Sequence, residues 1–397
     1  MSGISIAYSG VHRIYQVALA AQDMDSLDKF FCSLIDAPGK WGNLLSTIVG
    51  SDRLINMRRP ELEPKNVQEF PWPLLKFYLL PKTSRTDMAR AEVNDWFDRW
   101  VAKQLKSLDS KIFVGGETCA RYSLEVARQK GITTILDCPQ VHPDFLTSIL
   151  NASADDLQIQ RPEPFDNPQI AETKGLEFSM ADILLMLSEF QKRTFLAAGF
   201  PEERMISIPY WIDTDFFQPV PIPTLSKSKP LRVLFVGSIG FRKGIPYLLQ
   251  AIDLCKTDVE LTLLGSITPE IKPFLAKYEG SYTYASPTTK VGVRQHYWQA
   301  DVLVLPSLVD TFGWVAMEAM ACGLPIIVSD NCGVPVPDER WRVPVMNAEA
   351  IAQKLLVLRD NWEYCHELGQ IAANFAKQFT PQRHNQQLQI LFKQLLS

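Results

Sequence analysis

The chain has 397 residues, of which 46% are hydrophobic and 21% charged, a size and balance that suit two or three domains with full cores. They exclude a small stapled scaffold and a disordered chain. With 40 Lys and Arg against 44 Asp and Glu the formal net charge is −4, so no global field draws in a polyanion and nucleic acid is excluded as the main partner.

In the first half, β-type runs fall at Ile4 to Tyr8, Lys29 to Leu34, Lys111 to Val114, Ile132 to Leu136, Ile183 to Leu187 and Met205 to Ile208. Several are continuous apolar stretches, as in strands covered on both faces. Helical segments lie between them: Ala89 to Leu105 spaces Val93, Trp96, Phe97, Trp100 and Val101 at helical intervals, and Ala120 to Gln129 runs into the stop Lys130-Gly131. Alternation of strand and helix predicts a parallel sheet. Arg53, Arg58, Arg59, Lys65, Lys82 and Arg85 surround the aromatic stretch Phe70 to Leu80, which leaves peripheral membrane contact open. Glu61, Glu63, Glu69 and Asp87 share that window and favour a solvated surface over a partly buried segment.

A stretch rich in proline, Phe217 to Pro230 (Pro219, Pro221, Pro223, Pro230), precedes a second set of strands at Leu231 to Val236, Glu260 to Leu264, Val302 to Leu305 and Pro325 to Val328. Helical segments Gly244 to Cys255, Lys290 to Gln299 and Val315 to Cys322 separate them. Two doubly wound domains, 1–213 and 214–397, are the economical reading. The amphipathic segment Pro381 to Leu396 is expected to pack back across the joint. Cysteines 32, 119, 138, 255, 322, 332 and 365 form no Cys-x-x-Cys pair and sit singly in apolar segments, as buried thiols in a reducing compartment do. No run reaches the ~20 apolar residues of a membrane span, and the first residues lack the basic and apolar regions of a signal peptide. A cytoplasmic chain is expected.

Two constellations carry chemistry. In Leu234-Phe235-Val236-Gly237-Ser238-Ile239-Gly240-Phe241-Arg242-Lys243-Gly244, an apolar strand enters a glycine-punctuated turn and then a helix. That layout can bring backbone amides, a helix N-terminus and two cations to one anion; a strand, turn and helix with incidental surface cations is the alternative. It is neither Gly-x-Gly-x-x-Gly nor a Walker loop, because Gly244 rather than Ser or Thr follows Lys243. The second runs from Leu305-Pro306-Ser307 through Asp310, Phe312, Gly313, Trp314 and Val315 to Glu318 and Pro325. It sets one carboxylate at a strand end and another eight residues on, inside a helix beginning near Gly313. Two such acids can grip opposite ends of a polyhydroxylated ligand while amides near Gly313 and Trp314 face its anionic middle.

From Pro306 to Pro325 the chain resembles the GT-B glycosyltransferases, most closely the large retaining family 4, whose motif reads Pro-Ser-x-x-Glu-Gly-Phe-Gly-x-x-x-x-Glu-Ala-Met-Ala-x-Gly-x-Pro. Asp310 replaces the first Glu. The family's Gly-Arg-x-x-x-x-Lys-Gly clamp is matched at Gly237, Lys243 and Gly244, with Ser238 in place of Arg and Arg242 as a substitute cation. Ala181-Asp182, Ser188-Glu189-Phe190 and Pro209-Tyr210-Trp211-Ile212-Asp213 resemble further family segments, Trp211 standing for a Gly.

The resemblance implies two Rossmann-like domains facing each other across a cleft, with the donor nucleotide on the C-terminal domain and a sugar, glycan or lipid-linked acceptor entering from the N-terminal one. It implies sugar transfer from a nucleotide diphosphate to a hydroxyl with retention, Glu318 holding the ribose, Asp310 and the amides of Phe312 to Val315 holding the sugar, and Lys243 and Arg242 neutralising the diphosphate. Gly10 matches the glycine loop that closes over the donor. His142 lies near a position where the family often has a catalytic-face His, although the strand end itself reads Asp137-Cys138-Pro139; a capping role is the alternative. Asp213-Thr214-Asp215 imitates a metal-binding motif of another fold, but its interdomain place makes it structural, and no essential metal or cofactor is expected. Base and sugar choice are expected to depend on loops such as Ser281 to Thr289. The alternatives are an isomerase or epimerase with the same donor site, and a degenerate non-catalytic subunit.

Overall fold

The computed structural model describes residues 3–10, 14–35, 61–84, 86–161, 168–220 and 230–397. Arg53, Arg58, Arg59, Arg85, Pro221, Pro223 and the side chain of Lys82 lie outside the described residues.

Two parallel sheets organise the chain. The first contains β1 (Gly3–Tyr8), β2 (Leu27–Cys32), β3 (Val67–Glu69), β4 (Ser110–Gly116), β5 (Thr133–Asp137), β6 (Ile183–Met186) and β7 (Met205–Ser207), in the order β3-β2-β1-β4-β5-β6-β7. The second contains β8 (Leu231–Val236), β9 (Val259–Leu264), β10 (Tyr282–Ala285), β11 (Val302–Leu305), β12 (Ile326–Ser329) and β13 (Arg342–Val343), in the order β10-β9-β8-β11-β12-β13. In each, strand order reverses beside the first strand, between β1 and β4 and between β8 and β11. Ligands of open α/β sheets bind at the carboxyl ends of strands where the order reverses.

Side-chain alternation explains why these strands are apolar throughout. Ile4, Ile6, Ile112 and Val114 face one layer, which includes the helix Tyr15–Gln22 and Leu388, Leu391 and Phe392 of the C-terminal helix Pro381–Leu396. Ala7, Phe113, Leu136 and Leu184 face the other, beneath Phe97, Val101 and Leu105 of Asp87–Leu105 and Leu124 of Arg121–Gln129. The helix Pro143–Asp156 belongs by chain to the first sheet, yet Leu146, Leu150 and Ala154 lie in one core with the strands of the second. Tyr247, 2% exposed, sits in that seam and donates to Asp156 Oδ2 at 2.9 Å, with Ser153 Oγ at 3.0 Å.

Two local expectations differ from the structure. β2 starts two residues early, because Leu27 is buried opposite Ile4, and Ser33 and Leu34 have already left the sheet. The stretch Ser281 to Thr289 contains β10, an edge strand whose Tyr284 is 45% exposed, so it lacks the apolar run that marks a central strand. In the segment from Phe70 to Leu80, the helix Trp72–Leu79 buries Leu74, Leu75 and Phe77, and Phe70 stacks on Trp100 at 4.8 Å. Among the described residues no helix is long and apolar enough to cross a membrane.

Candidate active site

The turn after β8 is built on glycine. Gly237 has φ +139, and Gly265 approaches it so closely that a Cβ there would lie 1.8 Å from the Gly237 carbonyl oxygen. After the single 3-10 turn Phe241–Lys243, Gly244 adopts φ +71 and caps the helix Ile245–Cys255. A Cβ on Gly244 would sit 1.9 Å from the carbonyl oxygen of Pro306, so the turn rests on the end of β11. Leu308 N–H donates to the Arg242 carbonyl at 2.9 Å and fastens the two loops.

This contact delivers Lys243 to Asp310. Lys243 Nζ lies 2.5 Å from Asp310 Oδ2, with the side chains 17% and 15% exposed. Asp310 Oδ1 accepts from Gly313 N–H at 2.8 Å and Phe312 N–H at 3.4 Å. Its own amide and carbonyl are tied to Asn331 and Gly333 at 2.9 and 2.8 Å. Burial pushes the Asp310 carboxyl up, but Lys243, Arg242 and the Gly313 amide outweigh it and hold the group below the usual aspartate range. The expectation that the amides of Phe312 and Gly313 face a ligand is corrected here: both turn inward to Asp310. Gly313 takes φ +69 as N-cap of the helix Trp314–Ala321, whose opening amides, Trp314 and Val315, belong to the first turn, where no intrahelical acceptor exists. Arg242 is half-buried and Ser238 exposed on the same rim. Glu318, one turn into the helix, accepts from the hydroxyl of Tyr297 at 2.9 Å. Sequence reading passed over Tyr297, although it lies on the expected helix Lys290–Gln299.

At the opposing reversal, the Tyr8 ring fills the space a side chain would need on two glycines. A Cβ on Gly116 would lie 2.0 Å from Tyr8 Cδ2, and one on Gly10 would lie 3.0 Å from Tyr8 Cε1. Below the ring are buried acids that the sequence reading did not select. Glu117 Oε1 lies 3.3 Å from Lys174 Nζ, which also donates to Gln140 Oε1 at 3.0 Å. Glu177 accepts the amides of Thr118 and Ala120 at 2.6 and 2.8 Å, fixing the start of Arg121–Gln129. Asp137, 3% exposed at the end of β5, is pushed up to about 7 by burial and by Glu117. Its proton is therefore held when folded and lost when unfolded between about pH 4 and 7, so it makes stability fall as pH rises through that window. Asp137→Asn, which mimics the protonated form, is expected to be near neutral at pH 4 and stabilising by about 2–4 kcal/mol at pH 8; urea unfolding at the two pH values checks this, and equal effects at both refute it.

The structure does not bring His142 to these groups. Its ring lies against Phe178, Phe195 and Phe200, with centroids 5.2–6.1 Å away, and Nδ1 accepts from Asp144 N–H at 3.3 Å as cap of Pro143–Asp156. Burial lowers its pKa. Ser188 joins the two halves, accepting from Gln191 N–H at 3.1 Å and donating to the Thr311 carbonyl at 2.7 Å. Asp213 accepts from Phe216 N–H at 3.0 Å and pairs with Lys290 at 2.9 Å, so it fastens a turn. Trp211 packs 6.1 Å from Trp314 and 5.0 Å from His384, whose Nδ1 lies 3.0 Å from the Pro209 carbonyl.

Known proteins agree with this architecture. Residues 230–361 match the family model of glycosyl transferases group 1. Across 204 residues the chain is 28% identical to a D-inositol 3-phosphate glycosyltransferase of Paenarthrobacter aurescens, covering 46% of this chain and 49% of that one. Across 198 residues it is 27% identical to the amylovoran biosynthesis glycosyltransferase AmsK of Erwinia amylovora, covering 46% and 48%. The chain thus spans about half the length of these relatives. Among solved structures, a sucrose-phosphate synthase from Thermosynechococcus elongatus superposes with TM-score 0.68 at 18% identity, covering 100% of this chain and 99% of that one. Anabaena HepE in complex with UDP and glucose superposes with TM-score 0.64 at 14% identity, covering 99% and 100%. The fold is GT-B, as the resemblance implied.

Proposed function

We propose that the protein is a retaining glycosyltransferase of the family 4 type, moving a sugar from a nucleoside diphosphate to an acceptor hydroxyl in polysaccharide, glycolipid or glycoconjugate synthesis. The observation that carries this reading is the Lys243–Asp310 pair at the β8/β11 reversal, beside the N-terminus of Trp314–Ala321. Lys243, Arg242 and the helix N-terminus concentrate positive potential where a diphosphate leaving group gathers charge. That cationic set supplies the neutralisation a divalent ion gives elsewhere, so the reaction is proposed to need no metal. Glu318 holds the ribose hydroxyls, and Asp310 orders the turn that receives the sugar.

The acceptor enters from the N-terminal half, where Gly10 lies in the loop that closes over the donor, and its hydroxyl attacks on the face from which the diphosphate departs, its proton passing to the departing phosphate. Enzymes lower barriers by about 8–23 kcal/mol while one hydrogen bond to a charged group contributes roughly 1.5–3. Alignment of two substrates between the sheets must therefore supply much of the remainder. The seven buried free thiols support placing the enzyme in the cytoplasm, with any membrane contact peripheral and at the inner face.

Thermal melts with UDP, GDP, ADP, TDP and CDP, each with and without EDTA, test the reading. One diphosphate is expected to raise the melting temperature equally with and without chelator. No shift with any of them would remove the donor site, and a shift abolished by EDTA would remove the metal-free mechanism.

A further inference from the structure

We propose that Tyr297 is a positioning residue that sets the protein's preference for ribonucleotide over deoxyribonucleotide donors by orienting Glu318; this rests on the reading that Glu318 holds the ribose. Tyr297 is 1% exposed and packs 6.1 Å from Phe217 at the joint between the halves. Its hydroxyl donates to Glu318 Oε2 at 2.9 Å. Burial and the facing carboxylate keep the phenol protonated, so toward Glu318 it acts only as donor. Glu318 is half-buried on the helix Trp314–Ala321. A glutamate has three rotatable bonds, and holding it in one rotamer costs entropy that a ligand contact would otherwise have to supply. A bond from a rigid buried ring to one carboxylate oxygen settles that rotamer before the ligand arrives, at a fixed height on the helix. Cys322, one turn further on, lies close enough for the Glu318 charge to raise its thiol pKa. Tyr297 and Cys322 are thus two neutral neighbours of the carboxylate.

The test compares binding of UDP, GDP and ADP with that of their 2′-deoxy and 3′-deoxy counterparts to wild type, Glu318→Ala, Tyr297→Phe and the double variant. Tyr297→Phe removes one oxygen from a packed ring, and Glu318 at the half-buried rim can turn to water, so the fold is expected to persist with an unchanged melting profile. Wild type is expected to prefer the ribonucleotide by roughly tenfold or more. Glu318→Ala abolishes the preference, Tyr297→Phe reduces it at least threefold, and Tyr297→Phe has no further effect in the Glu318→Ala background. A preference unchanged by Tyr297→Phe but lost in Glu318→Ala overturns the role of Tyr297 alone. A preference that survives Glu318→Ala, or no binding by any diphosphate, overturns the ribose-site reading and this inference with it. Should Tyr297→Phe melt early, Glu318→Asp breaks the same bond from the rim, and an undiminished preference there overturns the proposal.

Discussion

Lys243→Ala is expected to lower turnover by roughly 10²–10³-fold, the range measured when one preorganised charge-stabilising donor is removed. Lys243 is held by a 2.5 Å contact to Asp310 and by a turn whose glycine lies against β11. Its ammonium is thus placed before the diphosphate begins to leave and needs no reorganisation. The loss should appear in kcat, because charge on the leaving group is greatest in the transition state. Part of the change is structural: without Lys243, Asp310 retains Arg242 and the Gly313 amide but loses its direct counter-ion, and one-sided removal from a buried pair costs up to about 3–5 kcal/mol. The double variant Lys243→Ala with Asp310→Asn separates the two effects. It is expected to recover melting temperature while turnover stays low. Steady-state kinetics beside thermal melts decide the matter, and turnover within threefold of wild type would remove Lys243 from the reaction.

Gly244→Ala carries the second large effect. At φ +71 an L side chain costs about 1–2 kcal/mol, and a Cβ placed 1.9 Å from the Pro306 carbonyl oxygen forces two backbone segments apart, adding about 1–3 kcal/mol or more. Melting temperature is expected to fall on the order of 5–10 °C. Activity should fall further than stability alone explains, because the displaced turn carries Lys243 away from Asp310. Gly131→Ala is the control: Gly131 has φ +69 with no atom within 4 Å of its Cβ position, so it bears the backbone cost without the collision. Similar melting curves for the two variants would show that contact with β11 does not hold the turn.

Much of the fold was legible because buried parallel strands are nearly continuous apolar runs, as in Ile183–Met186 and Val302–Leu305. The turns after β8 and β11 were legible for a different reason: glycines, several with positive φ, and a fixed spacing of acids leave a local signature. What could not be read was partnership across distance. Nothing near Asp310 in sequence says that the distant Lys243 engages one of its oxygens, and nothing near Glu318 points to Tyr297. His142 was singled out because the resemblance puts a catalytic-face His near its position, but the phenylalanines that enclose its ring are supplied by residues 178, 195 and 200. β10 was missed because an exposed edge strand has no apolar face to record in its sequence.

The helix Pro143–Asp156 is threaded with the first sheet but shares its apolar surface with the second. The boundary expected near residue 213 therefore does not coincide with the edge of this apolar core. A chimera that joined residues 1–213 to the second half of a relative would pair Leu146, Leu150 and Ala154 with a foreign surface and remove Tyr247, the partner of Ser153 and Asp156. Any exchange at that point splits a core that Leu146, Leu150 and Ala154 share with Phe190 as well as with the strands of the second sheet.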